Sequence, residues 1–131
     1  METNRKVLLI GGAGYIGSVM SGYLLGKNWK IRFFDQLIYE NQACVSFFWG
    51  HPNYEFIYGD LTDSAQLEPA LEGIDDVVIL AGLVGDPITK KYPECSQETN
   101  LNGILRVIRS LDGRGLNLVI FISTCSNYGL I

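Results

Sequence analysis

Charge is scarce in this sequence and evenly divided by sign. Of 131 residues 18% are charged, 10 Lys or Arg against 14 Asp or Glu, giving a net charge of −4. No basic stripe or Lys/Arg run is present, so the electrostatic footprint of a nucleic-acid binder is missing. Long apolar runs are missing too. The longest, residues 77–85, is about half of what a membrane span needs. Arg5-Lys6 followed by Val7-Leu8-Leu9-Ile10 imitates the start of a secretory signal, but the run breaks at Gly11-Gly12. That is short of the roughly 7–15 residues of an h-region. Cysteine is limited to Cys44, Cys95 and Cys125, an odd number with no C-x-x-C pair. Neither a disulfide framework nor a metal site is indicated, and buried free thiols are expected. The lone histidine, His51, reads as a solvated turn residue. Together these absences predict a cytoplasmic chain with no nucleic-acid partner, no membrane and no metal.

What remains is apolar and rich in glycine: 47% hydrophobic, with 15 glycines. That excludes intrinsic disorder and fits one domain burying roughly two-thirds of its unfolded surface. Residues 6–10 form a short apolar run of the kind a fully buried parallel strand produces. After the glycines, Ile16, Val19, Met20, Tyr23 and Leu24 recur at helical spacing as an apolar face, with Gly26 at the stop. Residues 30–34, ending at Asp35, and residues 54–58, ending at Gly59-Asp60, are further strands. Thr62 or Asp63 caps a short helix with Leu67, Ala70 and Leu71 inward, in spite of Pro69. Residues 76–81 are a fourth strand and 118–122 a fifth. Between them Leu101, Ile104, Leu105, Ile108 and Leu111 mark a helix over about 96–111. Residues 43–49 form a short helix or a loop, and the nearby aromatics (Tyr39, Phe47, Phe48, Trp49) are expected to pack on strands two and three. Strand and helix alternating in this way predict right-handed crossovers and a parallel sheet covered on both faces.

Gly11-x-x-Gly14-x-x-Gly17 lies at the first strand-to-helix junction. A tight turn, close approach to a pyrophosphate and close helix-strand packing each exclude side chains there. The helix N-terminus then points free N–H groups at the phosphates. Asp35, 18 residues after Gly17, stands where a carboxylate accepts hydrogen bonds from an adenosine ribose. It would repel a 2′-phosphate, and Gln36 and Leu37 bring no cation, while strand alternation turns Arg32 elsewhere. The pattern therefore predicts NAD over NADP.

Gly12-Ala13-Gly14-Tyr15-Ile16-Gly17 resembles the extended short-chain dehydrogenase/reductase family, the NAD-dependent nucleotide-sugar epimerases and dehydratases. Further segments carry the same resemblance: Gly59-Asp60-Leu61, Leu80-Ala81-Gly82, Asn100-Leu101-Asn102-Gly103, and residues 123–129 with Tyr128-Gly129. The resemblance implies a Rossmann-type α/β fold, a doubly wound parallel sheet of about five strands in the order 3-2-1-4-5. It implies a cofactor site of Gly11, Gly14, Tyr15, Ile16, Gly17, Asp35, Asp60, Leu61, Leu80, Ala81, Gly82, Asn100 and Ser123. Asp60 would sit against the adenine, and Asn100 would brace the site. Thr124 falls at the family's catalytic Ser/Thr, which hydrogen-bonds the reacting sugar oxygen. Cys125 is a candidate accessory group, with an inert thiol as the alternative. Cys125 and Ser126 stand where the family's dehydratases carry Asp and Glu, which lowers the dehydratase reading.

The family's Tyr-x-x-x-Lys pair, roughly 25 residues beyond the catalytic Ser/Thr, does not occur before Ile131. Without it the tyrosine base lacks the roughly 4 kcal/mol of electrostatic help that a three-unit pKa drop requires. The expectation is an incomplete NAD-binding domain over residues 1–131, ending before the substrate domain. Either it is the N-terminal portion of a longer enzyme acting on a nucleotide-sugar, or a chain that self-associates, as a homodimer or otherwise, through the apolar edge at 118–122. A non-catalytic nucleotide-binding module and a simple sugar oxidase or keto-reductase stand as alternatives.

Overall fold

A computed structural model of the chain describes residues 4–83 and 90–123. Five strands, β1 (Lys6–Ile10), β2 (Lys30–Asp35), β3 (Tyr54–Tyr58), β4 (Asp76–Ile79) and β5 (Leu118–Phe121), form one sheet. All neighbours are parallel, and the order is β3-β2-β1-β4-β5, the doubly wound α/β arrangement expected. β1 is central, with Leu8 opposite Arg32 on one side and Val77 on the other. Both of its faces are covered, which is why its sequence is uninterrupted hydrophobe instead of alternating. The chain winds outward from β1 to β3, then crosses back to β4, so the crevice between winding directions opens at the carboxyl ends of β1 and β4.

The helices are α1 (Tyr15–Leu25), α2 (Gln42–Ser46), α3 (Ser64–Leu71), α4 (Pro93–Gln97) and α5 (Ile104–Leu111), the last two joined by a π-helical stretch, Glu98–Gly103. On one face of the sheet Leu8, Ile10, Phe34, Val77 and Ile79 pack against α3 and α5 through Leu67, Ala70, Leu71, Ile104, Val107 and Leu111. On the other, Val7, Leu9, Ile31, Phe33 and Val78 meet Leu25 of α1 together with Val45 and Phe48. Asp63, not Thr62, caps α3, its carboxylate accepting from the Ala65 N–H at 2.9 Å. Arg32 leaves β2 on the α3 face. It donates to Glu55 at 2.6 Å and to the final carbonyls of α3, at 2.9 Å for Ala70 and 2.7 Å for Glu72. Burial pushes the Glu55 carboxyl up, but hydrogen bonds from Lys6 and Arg32 outweigh it and hold it below its ordinary value.

Several expectations need correction. The buried stripe of α1 is Gly17, Ser21 and Leu25, while Ile16, Val19 and Tyr23 face outward. The cause is close approach: a Cβ on Gly17 would overlap the Gly12 carbonyl, so only the small-residue stripe can face the strand. Similarly Thr99, Gly103, Ile104, Val107 and Leu111 turn inward along the last helix, whereas Leu101, Leu105 and Ile108 remain exposed. Of the four aromatics, Phe48 packs edge-on to Phe33 at 6.2 Å and is buried, but Tyr39, Phe47 and Trp49 are exposed. α1 does stop at Gly26, as expected, though on right-handed helical backbone, and the chain turns two residues later at Asn28, whose φ is 62°. Cys44 is half-buried and Cys95 exposed, both free, not the buried thiols expected. His51 lies exposed in a turn, where its Nδ1 accepts from the Asn53 N–H at 3.1 Å. β5 ends the sheet with all four of its side chains exposed. Among the described residues no helix is long and apolar enough to cross a membrane, and no cluster of metal-ligating side chains occurs.

Replacing Gly17 with Ala should destabilise the fold by about 2–3 kcal/mol, since the added methyl meets backbone that cannot rotate away. Chemical denaturation checks this, and an unchanged midpoint would refute the close-approach account.

Candidate functional site

The carboxyl ends of β1, β2, β3 and β4 gather the candidate residues. Gly11 leaves β1 with φ at 81°, and a Cβ there would come within 2.6 Å of the Ala81 nitrogen. Residue 11 is therefore restricted to glycine both by its left-handed backbone and by the Leu80-Ala81 segment just after β4 pressed on it. Gly12 was not singled out from the sequence as a packing glycine, yet a Cβ on it would strike the Phe33 ring at 2.6 Å. Gly14 is different. Its backbone is extended (φ −71°, ψ 176°), and among the described residues a Cβ would meet only the Gly11 carbonyl, at 3.4 Å. Protein packing thus accounts for glycine at 11, 12 and 17, but not at 14. Gly14 begins α1, where no side chain caps the helix and no acidic residue occupies the first turn. Tyr15 and Ile16 follow, exposed. The first-turn N–H groups and the helix dipole are therefore not offset by an acidic side chain of the helix itself, which suits an anion.

Asp35 ends β2 on the face opposite Arg32. Its carboxylate accepts from the Ala13 N–H at 3.1 Å and the Leu37 N–H at 2.7 Å, joining the glycine turn to the segment after β2. Burial pushes its carboxyl above the ordinary value, against the lowering effect of those two hydrogen bonds. Leu37 and Glu40 both have left-handed backbone, with φ at 56° and 52°. The segment thereby curls back so that Asn41 Nδ2 donates to the Ala13 carbonyl at 2.5 Å. Asn41 Oδ1 is buried with no partner. Nothing in the sequence marked Asn41, because its position depends on two non-glycine residues adopting an uncommon conformation.

Asp60 folds on itself after β3, accepting from the Thr62 N–H at 2.8 Å, and buried Leu61 packs into the α3–α5 core. Gly103 on the π-helical stretch lets the last helix approach Leu61, since a Cβ there would overlap its methyl group. The same stretch carries Asn100, whose Oδ1 accepts from the Leu83 N–H at 2.7 Å and whose Nδ2 donates to the Leu83 carbonyl at 2.8 Å. Asn100 therefore satisfies both backbone groups of the residue after Gly82. Ser123 is exposed just beyond β5. Thr124 and Cys125 lie outside the described residues. A groove lined by Gly22, Gly26, Phe47, Trp49 and His51 lies at the far end of α1 and includes none of the candidate residues.

The sheet order, the crevice and the glycine turn define a Rossmann-type fold with its topological switch point between β1 and β4. The model of the NAD dependent epimerase/dehydratase family matches residues 7–130, and the chain belongs to that family. It is 35% identical over 128 residues to a UDP-glucose 4-epimerase of Rhizobium leguminosarum bv. trifolii, covering 96% of this chain and 37% of the relative. A 3 beta-hydroxysteroid dehydrogenase/Delta 5-->4-isomerase of Mycobacterium tuberculosis is 29% identical, with 93% of this chain and 32% of that protein covered. Among solved structures, UDP-glucose 4-epimerase from Brucella ovis in complex with NAD superposes with a TM-score of 0.81 at 26% identity, covering 96% of this chain and 38% of the other. The chain therefore spans less than two-fifths of the length of these relatives.

Asn100→Ala should remove both hydrogen bonds to Leu83 and cost about 1–3 kcal/mol through buried backbone left unpaired. Native-state hydrogen exchange at the Leu83 amide reads the effect directly, and unchanged protection there would contradict the bracing role.

Proposed function

We propose that this chain binds NAD, as the cofactor-binding portion of a nucleotide-sugar epimerase-type oxidoreductase. The observation that carries the reading is Gly14. It is the one glycine of the turn that neither its backbone conformation nor any neighbour among the described residues requires, at a helix start without a side-chain cap. A diphosphate approaching that backbone explains why a side chain is excluded. Asp35 would accept from the adenosine ribose, and Asp60 and Leu61 would border the adenine. Leu80, Ala81, Gly82, Asn100 and Ser123 would line the path toward the nicotinamide.

When bound, NAD supplies a hydride acceptor and donor for a sugar carbon. The contribution of these residues is to hold it: the first turn of α1 offsets the phosphate charge, and Asp35 orients the adenosine. Asn100 fixes the segment after β4. Thr124 would hydrogen-bond the sugar oxygen that exchanges a proton, with Cys125 beside it. The substrate would be a nucleotide-sugar, the setting cytoplasmic, and the NAD-binding domain would occupy residues 1–131. A second reading, alcohol oxidation on the same scaffold, draws support from the hydroxysteroid dehydrogenase relative. The exposed β5 edge supports self-association, because a row of unpaired backbone groups flanked by apolar side chains pairs readily.

Titration calorimetry should detect NAD binding to the wild-type chain, with weaker or no binding of NADP. Gly14→Val should lose NAD affinity by tenfold or more while the chain still folds cooperatively, since among the described residues its Cβ comes no nearer than 3.4 Å to another atom. Affinity should also fall on acidification from above the usual carboxylate range, because Asp35 accepts hydrogen bonds from hydroxyls best when ionised and burial raises its pKa. Equal affinity for NAD and NADP would refute the Asp35 assignment. Light scattering at high concentration should show dimers or larger species, and a monodisperse monomer would count against the edge-pairing proposal.

A further inference from the structure

We infer that the aromatic face at the far end of α1 is an interface between two copies of this chain, related by a two-fold axis, in which Phe47 and Trp49 of each copy enter the groove of the other. That face is remote from Gly14 and owes nothing to the dinucleotide reading. Residues 41–54 contain no Asp, Glu, Lys or Arg, and residues 11–29 contain Lys27 alone. The two stretches lie side by side over one face of the sheet, as α1 and as α2 with the turn after it. There the aromatics stand outside: Phe47 is 81% exposed and Trp49 75%. Aromatic side chains in a surface depleted of charge are the composition of an interface core.

The groove beside the two rings has a volume of about 640 Å³ and is lined by Gly22 and Gly26 of α1 together with Phe47, Trp49, His51 and Pro52. Among the described residues no atom stands within 4 Å of where a Cβ on Gly22 would be, so the floor is helix backbone open to a visiting side chain. The rings beside it are braced. Phe47 stands edge-on to Phe48 at 5.1 Å, and buried Phe48 stands edge-on to Phe33 of β2 at 6.2 Å. A ring already held in the free chain loses little freedom on docking. Knob and hole thus occupy one patch, and a patch that complements itself is what a two-fold interface requires. Charge selects the same occupant. A chain of net charge −4 repels its own copies, but these stretches bring only Lys27 to the contact, so no carboxylates oppose each other there. A charged peptide or an anionic lipid surface finds no charge pattern to answer its own. Area agrees. A buried aromatic side chain hides about 150–250 Å², so Phe47 and Trp49 withdraw roughly 300 Å² per copy. A standard interface takes about 800 Å² per partner, and the exposed groove lining with Val19 of α1, 63% exposed, offers the rest.

The test must separate this face from the β5 edge. Ile120→Lys places a charge on that edge and blocks pairing through it. Sedimentation equilibrium of Ile120→Lys should still show a dimer. Adding Trp49→Lys or Phe47→Lys to it should weaken dimerisation by about tenfold or more, as loss of a central aromatic does. An Ile120→Lys chain that stays monomeric at high concentration would overturn the inference and leave edge pairing standing. A dimer indifferent to both aromatic substitutions would overturn it as well. Tryptophan fluorescence of the wild-type chain gives a second reading, which decides if Ile120→Lys does not fold. Trp29 is already half-buried, with the Arg5 guanidinium 5.3 Å from its ring, so a concentration-dependent change reports Trp49. Emission should move to shorter wavelength as the chain is concentrated, and Trp49→Lys should abolish the shift. Emission that stays unchanged while sedimentation shows association would refute the contact. A shift produced by phosphatidylcholine vesicles, at a concentration where the chain is monomeric, would make a lipid surface the occupant and overturn the inference.

Discussion

Close approach between the first helix and the central strand is the constraint on which the rest of the molecule depends. The Gly12 carbonyl occupies the place a side chain on residue 17 would need, and Ala81 occupies the place of one on residue 11. These contacts seat α1 low on the sheet and bring the start of β1's crossover beside the end of β4. Everything that makes the turn chemically useful follows from that seat. The uncapped helix start sits where strand ends converge, and Gly14, which no neighbour among the described residues requires to be glycine, lies at its mouth. A helix standing higher would bury larger side chains and carry its N-terminus away from the crevice.

The same constraint explains what could be read from the sequence and what could not. Strand positions were legible because fully buried parallel strands leave continuous apolar runs, and Val7 to Ile10 is such a run. The sheet order came with the resemblance that the glycine spacing began. The buried face of α1 was illegible to periodicity, because Ile16, Val19 and Tyr23 form a plausible apolar stripe that packing distance then rejects in favour of Gly17 and Ser21. The last helix misleads for a related reason. It carries two apolar stripes, and only the one containing Val107 and Leu111 is turned inward. Hydrophobic spacing identifies residues that share a face, but the distance between elements selects the face that is buried.

Within the candidate site, legibility followed the length of chain involved. Asp35 and Asn100 sit in regular elements at motif spacing, so their locations were anticipated, whereas the pair of hydrogen bonds between Asn100 and Leu83 was not. Asn41 reaches the turn only because Leu37 and Glu40 take left-handed backbone, which no sequence rule assigns to leucine or glutamate. The π-helical stretch was equally hidden. It inserts an extra residue per turn around Asn100 and Gly103, so that one faces the segment after β4 while the other admits Leu61.

Arg32 has an effect on how this scaffold can be re-engineered. Three positions separate it from Asp35 along β2, so the two side chains emerge on opposite faces of the sheet. Its guanidinium is already locked between Glu55 and the closing carbonyls of α3. Neutralising residue 35 would not recruit that cation to the other side. A designer wanting a positive charge beside the turn would have to graft one into residues 36–40. Positions 37 and 40 are encumbered by their backbone geometry, which leaves 36, 38 and 39 as the workable substitutions.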